Sequence, residues 1–136
     1  STKEDIEYNK PAMYWYQKIT YSIAKYNLDK ADDYFSSLQS EHIESVFVPE
    51  AMMFLAQAHI EEEEYILAIY YLDEYEKRFA KNEEKAYIDF LKLKAKFYAF
   101  EQPKRNQQLL KQSISEINRF LLKYPNSKIT LIDLDK

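Results

Sequence analysis

An all-α fold follows from three features of the sequence. The 136 residues contain no glycine, they carry thirteen tyrosines and eight phenylalanines, and apolar residues recur three and four positions apart along most of the chain. Primed β-hairpin turns need Gly or Asn at positive φ, whereas spacings of three and four place residues on one face of a helix. The aromatic side chains supply bulky knobs for packing helix on helix.

Six helices are expected, at about 11–26, 28–40, 48–60, 63–80, 83–100 and 107–123. In the first, Trp15, Ile19, Ile23 and Tyr26 form the apolar stripe. "NLDK" then turns the chain, and Leu28, Ala31, Phe35 and Leu38 form the stripe of the second. The stretch "EAMMFLAQAHIEEEEYILAIYYLDEYEKRF" holds no helix breaker after Pro49, yet its two stripes are out of phase. Met52, Leu55, Ala56 and His59 share one face, while Tyr65, Ala68, Leu72, Tyr75 and Phe79 share another. Glu61–Glu64 lie between them and suit the start of a helix, where acidic side chains meet the positive end of the helix dipole. The stretch is therefore read as two antiparallel helices with a turn at the glutamates. Leu91, Ala95 and Tyr98 mark the fifth helix, "EQPKRN" a loop, and Leu110, Ile114, Ile117 and Phe120 the sixth.

These hairpins repeat. Ala31-x3-Phe35-x2-Leu38 superposes on Ala68-x3-Leu72-x2-Tyr75 after a shift of thirty-seven residues, and Ser113-x3-Ile117-x2-Phe120 takes the same place in a third unit. Paired helices with a period in the upper thirties are the signature of tetratricopeptide-like repeats. Trp15 stands sixteen residues before Ala31, where that pattern has its tryptophan, and Tyr124-Pro125 closes the third unit. The expected organisation is a tether over about 1–10 and a repeat domain over about 11–128, with units near 11–43, 48–81 and 83–125. About 129–136 is then a tail or the start of a further repeat.

Composition excludes much chemistry. Without cysteine there is no disulfide, thiolate metal site or cysteine nucleophile. Without glycine there is no phosphate-cradling loop. A net charge of −4 with both signs interspersed offers no basic surface for nucleic acid. No apolar run approaches the ~18 residues of a membrane span. "STKEDIEYNK" is too polar for a signal peptide. His42 and His59 are the only histidines, and His59 falls on an inward stripe as a packed structural side chain. Glu61–Glu64 lack the spacing of a calcium loop. No catalytic set, metal site or cofactor site emerges, and the expectation is a protein that is not an enzyme.

A stack of helix hairpins does offer a concave surface, lined by the first helix of each pair, that binds peptides or protein partners. Counted from Trp15, its expected lining is Tyr16, Thr20 and Ile23 in the first unit, then Met53, Gln57 and Ile60 in the second. Lys92, Lys96 and Ala99 follow in the third. This is an apolar and aromatic groove with two lysines at one end, suited to a hydrophobic segment that carries a carboxylate. An adaptor of another cell-envelope or cytosolic pathway would present the same pattern.

"KPAMYWYQKITYSIAKYNLDKADDYFSSL", "FVPEAMMFLAQAHIEEEEYILAIYYLDEYEKRF" and "INRFLLKYPNSK" together resemble the BamD (ComL/YfiO) family of outer-membrane assembly lipoproteins of Gram-negative bacteria, over about residues 8 to 128. The chain departs from that family at His42-Ile43 and Ala80-Lys81, where members carry proline, and at Tyr26-Asn27, where they carry glycine. Members are also longer, with five repeats, so the chain is either the N-terminal repeats of a longer protein or a shortened relative. The resemblance implies a scaffold of the β-barrel assembly (BAM) machinery with BamA, other BAM components and unfolded outer-membrane proteins as partners. It implies a periplasmic location, anchored to the inner leaflet of the outer membrane through an N-terminal lipid, and N-terminal repeats that engage the C-terminal peptides of unfolded barrels.

Overall fold

The computed structural model describes residues 7–102 and 107–125, the stretch 107–114 by its backbone alone. Most of the expected tether, residues 103–106 of the "EQPKRN" loop, the tail from 126 and the side chains of Leu110, Ser113 and Ile114 lie outside these residues. Six helices are present among them: α1 (Ala12–Ala24), α2 (Leu28–Glu41), α3 (Phe47–Glu61), α4 (Tyr65–Arg78), α5 (Asn82–Phe100) and α6 (Gln107–Lys123). Each helix packs on its hairpin partner, α4 packs on α5, and α3 seats against both α1 and α2. This is the layered stacking of a tetratricopeptide-like repeat, in which the first helix of one hairpin fills the gap left by both helices of the hairpin before it.

The expected stripes form the core. Trp15, Ile19, Ala31, Leu38, Met52, Leu55, Ala56 and Leu72 are almost wholly enclosed, and Phe35 nearly so. Ala31 and Ala68 have no exposed surface, which lets the second helices approach their neighbours closely. Trp15 also spends its one polar atom well, donating from Nε1 to Glu41 Oε1 at 2.8 Å. The same carboxylate accepts the backbone N–H of Asn9 at 2.8 Å and of Lys10 at 3.2 Å. These donors, Asn9 first and then Trp15, hold the Glu41 carboxyl below its usual range. His42 Nε2 lies 2.6 Å from the Lys10 carbonyl, so the end of α2 grips the lead-in to α1.

Tyr26 is not on the stripe of α1. It lies beyond the helix, 79% exposed, at φ 60. The cause is the turn: the N–H of Asn27 donates to the Ser22 carbonyl at 2.9 Å and that of Tyr26 to Ile23 at 2.9 Å, a Schellman cap whose last helical link is left-handed. The identical turn recurs thirty-seven residues on. Glu64 N donates to His59 O at 2.8 Å, Glu63 N to Ile60 O at 3.0 Å, and Glu63 sits at φ 61. This cap occupies Glu62 to Glu64, so α4 begins at Tyr65 rather than at 63. Asn27, the residue after the first cap, then starts α2 by accepting the Lys30 N–H on its side chain at 3.2 Å. At the start of α3, Ser45 accepts the Phe47 N–H at 3.0 Å. Pro49 falls in the first turn, where its missing N–H costs nothing.

A left-handed tyrosine and glutamate are costly choices, because Cβ crowds the following carbonyl. Glycine at either position is expected to raise stability by about 0.5–1 kcal/mol, or roughly 2–4 °C in melting temperature, after allowing for the looser unfolded chain. Thermal melts of Tyr26→Gly and Glu63→Gly check this; a drop in both would show that the turns are not left-handed.

Candidate functional site

The residues expected to line a groove in the first two units lie on α1 and α3. Tyr16 is half-buried and stacks on Phe47 of α3, ring centroids 4.7 Å apart. Burial, and then the nearby Glu50 carboxylate, raise its phenol pKa. Ile23 and Met53 are half-buried against the core. Thr20 turns its hydroxyl inward along its own helix, donating to the Gln17 carbonyl at 3.0 Å. Ile60 is half-buried and Gln57 exposed. Phe54, 43% exposed, and Met13, 53% exposed, lie one turn from Gln57 and Tyr16 on the same helices. Neither falls in the repeat frame counted from Trp15; an aromatic or thioether side chain one step off the buried stripe is the signal that marks them.

The third unit is arranged differently from the expectation. Lys92 lies 2.6 Å from Asp73 Oδ1 and 2.9 Å from Glu76 Oε1, both on α4. Burial alone would lower its pKa, but these two carboxylates outweigh burial and raise it. Lys96 is paired with Glu116 of α6, and Ala99 is buried. The lysines therefore face the second helices, and neither amine is an open groove cation. The reason is the register of α5, which Ile88, Leu91 and Ala95 set by burying against its neighbours; Lys92 and Lys96 flank that stripe. Two residues of helix is more than half a turn, so Phe90 and Lys94 take the opposite face, with Lys94 Nζ 6.0 Å from the Phe90 ring centre. Continuing the thirty-seven-residue shift from Tyr16 through Met53, and from Thr20 through Gln57, lands on these two residues.

His59 is packed as expected but is far from partnerless. Its ring is 1% exposed, with Nδ1 2.7 Å from Glu64 Oε1 and Nε2 2.9 Å from Asp32 Oδ1. Tyr71 donates its hydroxyl to the same Asp32 oxygen at 2.6 Å and stacks on the imidazole, centroids 5.6 Å apart. Ionised carboxylates only accept hydrogen bonds, so both ring nitrogens donate and the imidazole is charged. Burial works against that charge; Asp32 and then Glu64 overcome it and raise the His59 pKa. Burial and the Asp32 carboxylate also drive the Tyr71 phenol pKa upward. The network ties α2 of the first hairpin to α3 and α4 of the second. With the imidazole enclosed and its carboxylate partners at the surface, the network is a joint between the two hairpins. Among the described residues no group of three such side chains is placed to hold one metal ion, and none of their helices is long and apolar enough to cross a membrane.

Comparison with known proteins adds a family. The model of the family YfiO, described as outer membrane lipoprotein, matches residues 8–132. The outer membrane protein assembly factor BamD of Helicobacter pylori is 50% identical over 126 residues, which cover 93% of this chain and 57% of that protein. The chain thus spans a little over half the length of that relative.

Proposed function

Because the chain belongs to the YfiO family of outer membrane lipoproteins, we propose that it is a non-catalytic tetratricopeptide-like scaffold in outer-membrane β-barrel assembly. In this reading it works on the periplasmic face of the outer membrane, with BamA and other BAM components as protein partners. The surface that meets them, or the C-terminal peptide of an unfolded barrel, is the groove of first helices: Tyr16, Thr20, Ile23, Met53, Gln57 and Ile60. The observation that carries the reading is a run of aromatic and apolar side chains on α1 and α3 that the core covers only in part: Tyr16, Phe47 and Met53 half-buried, Met13 and Phe54 exposed. Such a surface receives the alternate apolar side chains of an extended segment. Lys92 and Lys96 reach a ligand carboxylate in this groove only by exchanging an internal partner, so apolar contact carries the affinity and salt dependence is small.

Titrating a barrel-protein C-terminal peptide tests the proposal. Met53→Glu, which places a charge among apolar contacts, is expected to weaken binding about tenfold or more. Unchanged binding with a folded variant would remove the groove as the site.

A further inference from the structure

Residues 8–28 hold three lysines, five tyrosines and a tryptophan but no carboxylate side chain, in a chain whose net charge is −4. Lys10, Tyr14, Lys18, Tyr21 and Lys25 stand four, four, three and four positions apart, on one face that runs along α1 and past both its ends. Trp15, Ile19 and Ser22 bury the adjoining face. Tyr16 lies on the other flank of that buried face, against Phe47 of α3. Lys10 Nζ is 5.3 Å and Lys18 Nζ 5.4 Å from the Tyr14 ring centre, and Lys25 Nζ is 5.5 Å from that of Tyr21. On α2, the Tyr34 ring centre is 5.5 Å from Lys30 Nζ and 6.0 Å from Lys18 Nζ, so a ladder of amines and rings crosses both helices. Lys92, Lys96 and Lys123 are ion-paired, but Lys10, Lys18, Lys25 and Lys30 are paired with no carboxylate among the described residues. Glu7 joins the ladder by accepting the Tyr14 hydroxyl. Asp29 and Asp33, exposed on α2, stand one position from Lys30 and Tyr34.

We propose that this ladder is a contact face for an anionic phospholipid surface. Three features favour that partner. The amines are strung along about 22 Å of helix rather than gathered round one pocket, which suits a surface of many separate phosphates better than a single ligand. The rings hold the amines in a row without neutralising them. Lysine joins an apolar stem to a charged head and tyrosine an apolar ring to a polar tip, and both shapes fit the boundary between headgroups and acyl chains. An acidic peptide would satisfy the amines but offer nothing to the rings between them. The lead-in is also fixed for this use: Glu41 holds the N–H groups of Asn9 and Lys10, and His42 meets the Lys10 carbonyl. The inference rests on the reading that places the chain beside the outer membrane, and it adds an orientation. The first hairpin lies on the lipid by one flank of α1 and leaves the groove flank, with Tyr16, free for a protein partner.

Flotation of the 136-residue chain with lipid vesicles tests this. Vesicles of equal parts phosphatidylglycerol and phosphatidylcholine are expected to carry the protein at low salt, and vesicles of phosphatidylcholine alone are not. Salt at about 0.5 M should remove most of the binding. Lys18→Glu with Lys25→Glu should lower the bound-to-free ratio about twentyfold or more, at roughly fivefold for each lysine removed. Lys77→Glu with Lys81→Glu changes the net charge equally at exposed sites elsewhere and should leave the ratio within about twofold. Tyr21→Ala, at a ring 63% exposed, should weaken binding severalfold without unfolding the chain. In the isotope-labelled protein, signal loss on adding the mixed vesicles should begin at Tyr14, Lys18, Tyr21 and Lys25. Equal binding to both vesicles, an unaltered ratio in the Lys18 and Lys25 variant, an equal loss in the Lys77 and Lys81 variant, or no binding would each overturn the proposal. So would polyglutamate that perturbs the same resonances as strongly as the vesicles, because the face would then belong to an acidic chain. Vesicle binding that fails while the barrel peptide still binds strikes this inference and leaves the groove reading standing. Vesicle binding that holds while the peptide does not bind supports it and removes the groove reading instead.

Discussion

Trp15→Ala is expected to destabilise the protein by about 3–5 kcal/mol, the cost of emptying a large, fully enclosed aromatic site. The indole is 1% exposed and packs between Tyr14, at 5.3 Å edge-on, and Tyr34, at 6.0 Å. Its loss also removes one of the three donors on Glu41, the carboxylate that holds the lead-in to α1 against the end of α2. Trp15→Phe keeps much of the volume but not the N–H, and is expected to recover more than half of the loss. Urea unfolding of the two variants beside wild type measures both quantities. An alanine variant with the wild-type midpoint would mean that the first hairpin is not part of the cooperative core.

Asp32→Ala is the second large effect, expected to cost about 3 kcal/mol. Removing one partner of a buried ion pair leaves the other charge uncompensated, and the low end of the usual range applies because the Asp32 side chain is 25% exposed. His59 would keep Glu64 alone, and the Tyr71 hydroxyl would lose its acceptor. The effect depends on pH with a definite sign. The folded His59 pKa lies above its ordinary value, so the contribution of the charged pair is complete below about pH 6.5 and is lost as pH rises through the raised folded value. The stability gap between wild type and Asp32→Asn should therefore be wide at about pH 6 and narrower at about pH 9. A gap that widens with pH would show that His59 is neutral in the folded protein.

Local periodicity was enough to determine the helices and their inward faces. The stripes Trp15–Ile19, Ala31–Phe35–Leu38, Met52–Leu55 and Ala68–Leu72 could be read directly, because a residue three or four places away lies on the same face whatever the rest of the chain does. The thirty-seven-residue shift likewise determined the hairpin stacking, since each unit must bury the same face against the next. The family was legible in the order of these motifs.

The tertiary structure decided what depends on residues far apart in the chain. Tyr26 and Glu63 carry no local mark of a left-handed turn, for which glycine is the usual sign; the packing of each hairpin imposes it. Asp32 reaches His59 across twenty-seven positions and Tyr71 across thirty-nine, so a histidine that looks solitary in the sequence is a charged joint between two hairpins. Lys92 and Lys96 share a helix face in any reading, but whether that face meets the groove or the carboxylates of α4 and α6 is set by which apolar residues of α5 win burial. Charge pairing at a helix seam is a property of two surfaces at once, and one strand of sequence shows only one of them at a time.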